Sequence, residues 1–377
     1  MRDEWREIGS SAVSFGPHAG AHRVALRAAV CVAVPLLILW GIDRLDVSVF
    51  ATFGAFTALY GRFDALRDRL AMQTAAGATI VVTMVIATAL AAANSPVLVR
   101  IAFVTLVAGV VTLVATAARW HPPGALFGVF AAGACSALPA TWATVGIAAL
   151  VGGASAVFSL AVTLLIGAAR MFTDRHHTNR TDHAAPATAD PQPLVNTKTG
   201  PRPALLTVST STLSAVNRSR WASLRRPALT AAAVGIAGLT ALALVGTHWY
   251  WAMVAAVAAL SGAHLLAQLT RALQRLVGTL LGVALAAGIL SLHLPPLAVI
   301  AVVVVCQAGA ELFVGRNYAI TMVFVTPLAL LMIELAAPSD PLVLLRDRTI
   351  DTLIGVIVGV AVAVLGGVLL RQRASRT

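Results

Sequence analysis

Apolar residues run along this chain in blocks near the ~20 residues that a helix needs to cross ~30 Å of hydrocarbon. Short interruptions of arginine, proline, glycine or asparagine part the blocks. They are continuously apolar and lack an alternating pattern, so they predict membrane-spanning helices and not barrel strands. In the first half the predicted spans cover 24–40, 47–60, 70–92, 97–117, 124–138 and 145–168. In the second half they cover 227–245, 249–266, 276–292, 297–314, 318–336 and 353–370. Between the two sets lies a polar stretch, 173–217, containing "TDRHHTNRTDHAAPATADPQPLVNTKTGPRP". Its proline, threonine and charge cannot bury a core, so it reads as a flexible cytoplasmic linker. The expected fold is all-α and polytopic, with about 12 spans in two six-helix modules, 1–172 and 218–377.

Six spans on each side invite a search for an internal repeat. "FATFGAFTALYG" at 50–61 aligns without gaps on "WAMVAAVAALSG" at 251–262. Arg27 opens the first set as Arg226 opens the second, and Arg119 with Phe127 matches Arg316 with Phe324 at one constant offset. An even number of spans per module gives both copies the same orientation, so the repeat is parallel.

Composition agrees with the pattern: 59% of the 377 residues are apolar and 11% charged, with mean hydropathy +0.87. Soluble domains carry about a quarter charged residues. The formal charge of +12 does not call for nucleic acid, because the arginines sit in short loops beside the spans, where they fix orientation. Lys198 is the sole lysine, and the arginine and alanine excess reads as the mark of a GC-rich bacterial genome, with the bacterial inner membrane as the expected location. Arginines gather before span one, after spans two, four and six, and at the matching loops of the second half. That places both termini in the cytoplasm. Arg44, Arg100, Arg346 and Arg348 fall on the side the rule keeps neutral. Cys31, Cys135 and Cys306 each lie in an apolar run without metal-ligand spacing, and read as buried free thiols. His176, His177 and His183 in the linker read as solvated, so neither a metal nor a cofactor is expected.

Three segments, "RALQRLVGTLLGVALA" (271–286), "RNYAITMVFVTPLALLM" (316–332) and "RDRTIDTLIGVIVG" (346–359), resemble the fusaric acid resistance, or FUSC-like, transporters. These go with the aromatic acid exporters and are related to the plant aluminium-activated malate transporters. "RVALRAAVCVAVPLL" and "DALRDRLAMQTAAGAT" carry the likeness more loosely into the first half. The resemblance implies efflux or conductance of organic anions, aromatic or small carboxylates above all, across the inner membrane. Since a six-span module of that family works as a dimer, it also implies a fused pseudo-dimer within one chain. Many relatives carry a large cytoplasmic domain, and this sequence has only the linker in its place.

Ionisable groups in or beside a span are costly and mark candidate sites. Arg119 and Arg316 sit at matching breaks, one beside His121 and a Pro-Pro-Gly, the other beside Asn317, Tyr318 and the proline-broken run with Pro327. A guanidinium suits a carboxylate because its planar fork binds both oxygens. Arg119, His121, Arg316, Asn317, Tyr318 and Trp251 are therefore the candidate substrate contacts, at a cytoplasmic pore mouth. Trp249, Tyr250 and Trp251 otherwise read as an interfacial aromatic belt. Arg348 and Asp351, three apart, predict an ion pair on one helix, and with Arg346 the alternative is a charged outer vestibule. Glu311 and Glu334 are candidates for proton coupling if buried. With no Walker, HExxH or nucleophile-elbow motif, the chain is not expected to be an enzyme. The rivals to an anion exporter are a non-transporting scaffold of an envelope assembly and a proton-coupled exporter of drugs.

Overall fold

A computed structural model describes residues 20–62, 64–181, 210–262 and 264–374. The polar stretch 182–209, with His183 and Lys198, and the basic residues Arg2, Arg6 and Arg376 lie outside the described residues.

Each predicted block forms a helix. In the first half these are α1 (Ala21–Gly41), α2 (Ser48–Ala55, flanked by 3₁₀ turns Leu45–Val47 and Phe56–Leu59), α3 (Leu66–Ala92), α4 (Val97–Ala117), α5 (Leu126–Ala137) and α6 (Trp142–Thr181). In the second half they are α7 (Thr210–Leu244), α8 (Tyr250–Ala259), α9 (Leu265–Ser291), α10 (Pro296–Phe313), α11 (Tyr318–Ala336) and α12 (Pro341–Ala374). The chain is a multi-pass membrane protein, all-helical among the described residues, but its helices are unequal. Among the described residues nine are long and apolar enough to cross a membrane, and three are shorter: Leu45–Leu59, Leu126–Ala137 and Tyr250–Ala259. At ~1.5 Å per residue the short ones reach about 15–22 Å, less than the hydrocarbon thickness. Their ends have local causes. The run "HPPG" precedes α5, and Leu138 leaves it in extended backbone, as a residue before proline must. Conversely α6 and α7 continue through 173–181 and 210–217, residues the composition assigned to the linker.

The halves interlock. α1 packs on α10 of the second half, and α4 of the first half packs on α7. Within the halves α3 lies on α5 and α6 as α9 lies on α11 and α12, while α2 rests on α6 and α8 on α12. Gly355 permits that last approach, since a Cβ there would collide with the Ala252 carbonyl. In the middle α5 meets α8 and α2 meets α11, so the short helices of one half face the other half. Phe130 of α5 lies 5.0 Å from Trp251 of α8, ring to ring. Thr52 Oγ1 of α2 donates to Met332 Sδ of α11 at 3.5 Å.

Two ends can be told apart. At one, the loops after α2, α4, α8 and α10 come together: Gly61 N donates to His121 O at 2.9 Å, and Gly61 holds a positive φ of 67° there. At the other end Arg100 bridges to Ser136 O at 2.7 Å, and His248 meets Asp347. The four arginines that break the charge rule are all engaged at or near this second end. Arg44 pairs with Asp46 at 2.9 Å, Arg100 is bound to carbonyls, Arg346 pairs with Asp347 at 2.9 Å, and Arg348 is buried. The three cysteines are free and buried.

Candidate functional site

Between the halves a cavity of about 310 Å³ opens among the loops of the first end. Its walls include Arg62, His121, Pro122, Arg226, Ser261, Arg271 and Gly315. A second, deeper cavity of about 90 Å³ continues it, because Leu59, Leu126, Phe127, Glu311, Val314 and Tyr318 line both. Its lining is divided between the halves. α5 and the turn after α2 give aromatic faces, Phe56, Phe127 and Phe130. α8, α9, α11 and α12 give Trp251, Arg275, Tyr318 and Arg348.

The two inner arginines are almost completely enclosed, Arg275 at 2% and Arg348 at 1% exposure. Arg275 enters from α9, where Nη1 donates to Tyr318 Oη at 3.1 Å. Arg271, one turn nearer the mouth, stands over the Tyr318 ring at 4.5 Å. Arg348 comes from α12 and lies over Trp251, 4.1 Å from the ring centroid. A cation on an indole face gains about 2 kcal/mol or more when both are desolvated, which helps hold the charge in an apolar surround. Even so, Arg275 Nε and Arg348 Nε and Nη1 are buried donors without a hydrogen-bond partner. Buried donors are nearly always satisfied in folded proteins, so these three stand out among the groups beside the inner cavity.

At the junction of the two cavities Glu311 is buried on α10 and forms an ion pair with Arg62 from the loop after α2. Arg27 of α1 is buried close by, with Nη2 donating to Ala58 O at 3.0 Å. Arg226, which aligns with Arg27, likewise directs Nη2 to a carbonyl at the end of the short helix, Ser261 O at 3.4 Å.

The sequence-derived candidates distribute unevenly over this geometry. Tyr318 lines both cavities, His121 lines the mouth and Trp251 the inner chamber. Trp249, Tyr250 and Trp251 are buried within the protein, so they form no interfacial belt. Arg119 is exposed, in left-handed backbone with φ 52°, and lines neither cavity. Arg316 also lies off both linings, with its guanidinium 5.8 Å from the Phe313 ring centroid. Asn317 caps α11, its Oδ1 accepting from Ala319 N at 3.0 Å and Ile320 N at 3.2 Å. The pair expected between Arg348 and Asp351 is not made: Asp351 is fully buried and neither of its oxygens has a hydrogen-bond partner. The physical reason is that Arg348 turns instead to Trp251. Nor does Arg348 line an outer vestibule, since it faces the inner chamber; Arg346 is exposed beside Asp347. Of the two coupling candidates, Glu311 is buried and paired, while Glu334 is partly exposed and accepts from Ser339 N at 3.2 Å.

Sequence reasoning passed over Arg62, Arg271, Arg275 and the phenylalanine wall. The signal for Arg275 was present, because α9 begins at Leu265 and carries Arg275 ten positions further in. Starting that span at 276 turned a buried residue into a loop residue.

No curated protein and no solved structure matches the chain. Residues 229–362, which supply Trp251, Arg271, Arg275, Glu311, Tyr318 and Arg348 to the cavities, match the family described as fusaric acid resistance protein-like. With its apolar helices and this segment, the chain is a multi-pass membrane protein with a fusaric acid resistance protein-like region at 229–362.

Proposed function

We propose that this protein exports organic anions, aromatic carboxylates foremost, across a bacterial inner membrane. The carrying observation is the convergence of Arg275 and Arg348, with unpartnered donors, on a chamber walled by Phe56, Phe127, Phe130 and Trp251. A carboxylate satisfies the guanidinium forks, and its ring stacks on the aromatic wall. Neither wall alone selects the solute: an aliphatic acid gains only the arginines, and a neutral arene leaves two buried cations uncompensated.

The anion enters from the cytoplasm through the larger mouth, where Arg62, Arg226 and Arg271 raise its local concentration. They take the part first expected of Arg119 and Arg316. In this reading the arginine-rich end and both termini are cytoplasmic. The two halves act as a single-chain pseudo-dimer, a reading supported by the reciprocal packing of α1 on α10 and α4 on α7. The pseudo-dimer is chemically lopsided, since α6 carries no ionisable residue from 142 to 169 while α12 carries Asp347, Arg348 and Asp351. The small anion and the bilayer are its partners, and the proposal involves no catalysis.

Flux into proteoliposomes tests this. Benzoate and its methyl ester are compared for wild type, Arg275→Gln and Arg348→Gln, normalised to inserted protein. Each variant should lose benzoate flux about ten- to a hundredfold, from loss of one charge-assisted contact of about 1.5–3 kcal/mol, and leave ester permeation alone. Equal loss for acid and ester removes the arginines from the site.

A further inference from the structure

Asp351 is a carboxylate inside a membrane-spanning helix, fully buried, with both oxygens unpartnered. It sits three residues beyond Arg348 on α12, a spacing at which the two side chains can meet. Yet Arg348 stands over Trp251 and lines the chamber, while Asp351 does not line it. The guanidinium therefore has two alternatives, its own aspartate or the chamber. An ionised carboxylate left alone in this surround is heavily disfavoured, so the chamber-facing arrangement belongs to the protonated acid.

We propose that Asp351 takes up a proton from water when an organic anion binds Arg348, because the two carboxylates compete for one guanidinium. This rests on the anion reading of the chamber given above. When the anion leaves, the proton returns to water and Asp351 can pair with Arg348. Anion and proton thus bind and depart together, and binding of a monovalent carboxylate is electroneutral.

The neighbours leave Asp351 as the responsible group. On α12 they are Arg348 and Asp347; across the packing they are Tyr250 of α8, Arg275 of α9 and Tyr318 of α11. Arginines and tyrosines do not titrate near neutrality. Asp347 is already committed, accepting from Thr247 and Arg346 and meeting His248 Nδ1 at 2.8 Å. His248, which meets Asp347 and not Asp351, is the control.

The experiment uses the full chain in detergent, weakly buffered near pH 7, with benzoate as probe and a pH dye as readout. Wild type and His248→Gln should take up about one proton per benzoate bound. Asp351→Asn, or Asp351→Ser if the first does not fold, should bind benzoate without uptake. Wild-type affinity should weaken up to about tenfold per pH unit above neutrality, the limit for one linked proton, and the Asp351 variants should be flat. Binding without proton uptake in wild type, or uptake that persists in the Asp351 variants or vanishes in His248→Gln, overturns this proposal and leaves the anion reading standing. No benzoate binding by wild type overturns both.

Discussion

The Arg62 guanidinium closes on the Glu311 carboxylate at the point where the mouth narrows into the inner chamber, tying the loop after α2 to α10 of the other half. The pair has no mirror image. Glu311 lines up with Val114 at the offset that relates Arg119 to Arg316. This ion pair bridges the halves on one side of the path.

Breaking that pair from one side should cost more than removing it whole. Glu311→Gln leaves Arg62 beside buried Arg27, and Arg62→Gln strands a buried carboxylate. A double-mutant cycle on thermal unfolding in detergent should give a coupling of about 0.5–3 kcal/mol, as residues in contact show. Both single variants should also raise leak of benzoate in the absence of a gradient-driven partner ion. Additive unfolding effects would mean that the pair does not join the halves.

Trp251 should matter to both charge and shape. Trp251→Leu removes the face under Arg348, and with it a desolvated cation–π contact of about 2 kcal/mol. Trp251→Phe keeps a smaller ring. Benzoate flux relative to acetate flux should fall in the order wild type, phenylalanine, leucine; an unchanged ratio would show that the aromatic wall does not read the solute.

Close packing of α12 on α8 predicts a contrast between two glycines. Gly355→Ala drives a methyl into the Ala252 carbonyl and should destabilise by about 1–3 kcal/mol. Gly153 on α6 has open space around its would-be Cβ, so Gly153→Ala should be neutral or stabilise by up to about 1 kcal/mol. Thermal unfolding of both decides, and equal shifts would refute the packing argument.

Orientation is checked with single cysteines in a background where Cys31, Cys135 and Cys306 are replaced. Pro123→Cys, in the loop before α5, should react with a membrane-impermeant maleimide only from the cytoplasm. Asn94→Cys, in the turn between α3 and α4, should react only from outside. The reverse result would invert the path and make the wide mouth an exit.

Hydrocarbon alone set much of this fold. Every predicted apolar block became a helix, because a backbone in lipid must satisfy its own hydrogen bonds. The arginine bias along the loops was equally legible, and it picked out the four arginines that tertiary contacts later accounted for. Tertiary packing decided what periodicity could not. An apolar run looks the same whether it faces lipid or protein, so the burial of Trp249 and Tyr250 went unread. Sequence spacing placed Arg348 beside Asp351 on one helix, but the competing indole face belongs to another helix altogether. Arg275 and Arg348 stand 73 positions apart in the chain, and only the docking of α9 and α12 around α8 and α11 turns them toward one chamber. The sequence determined where helices form; which charges they enclose depended on side chains meeting across helices, a relation that no local pattern encodes.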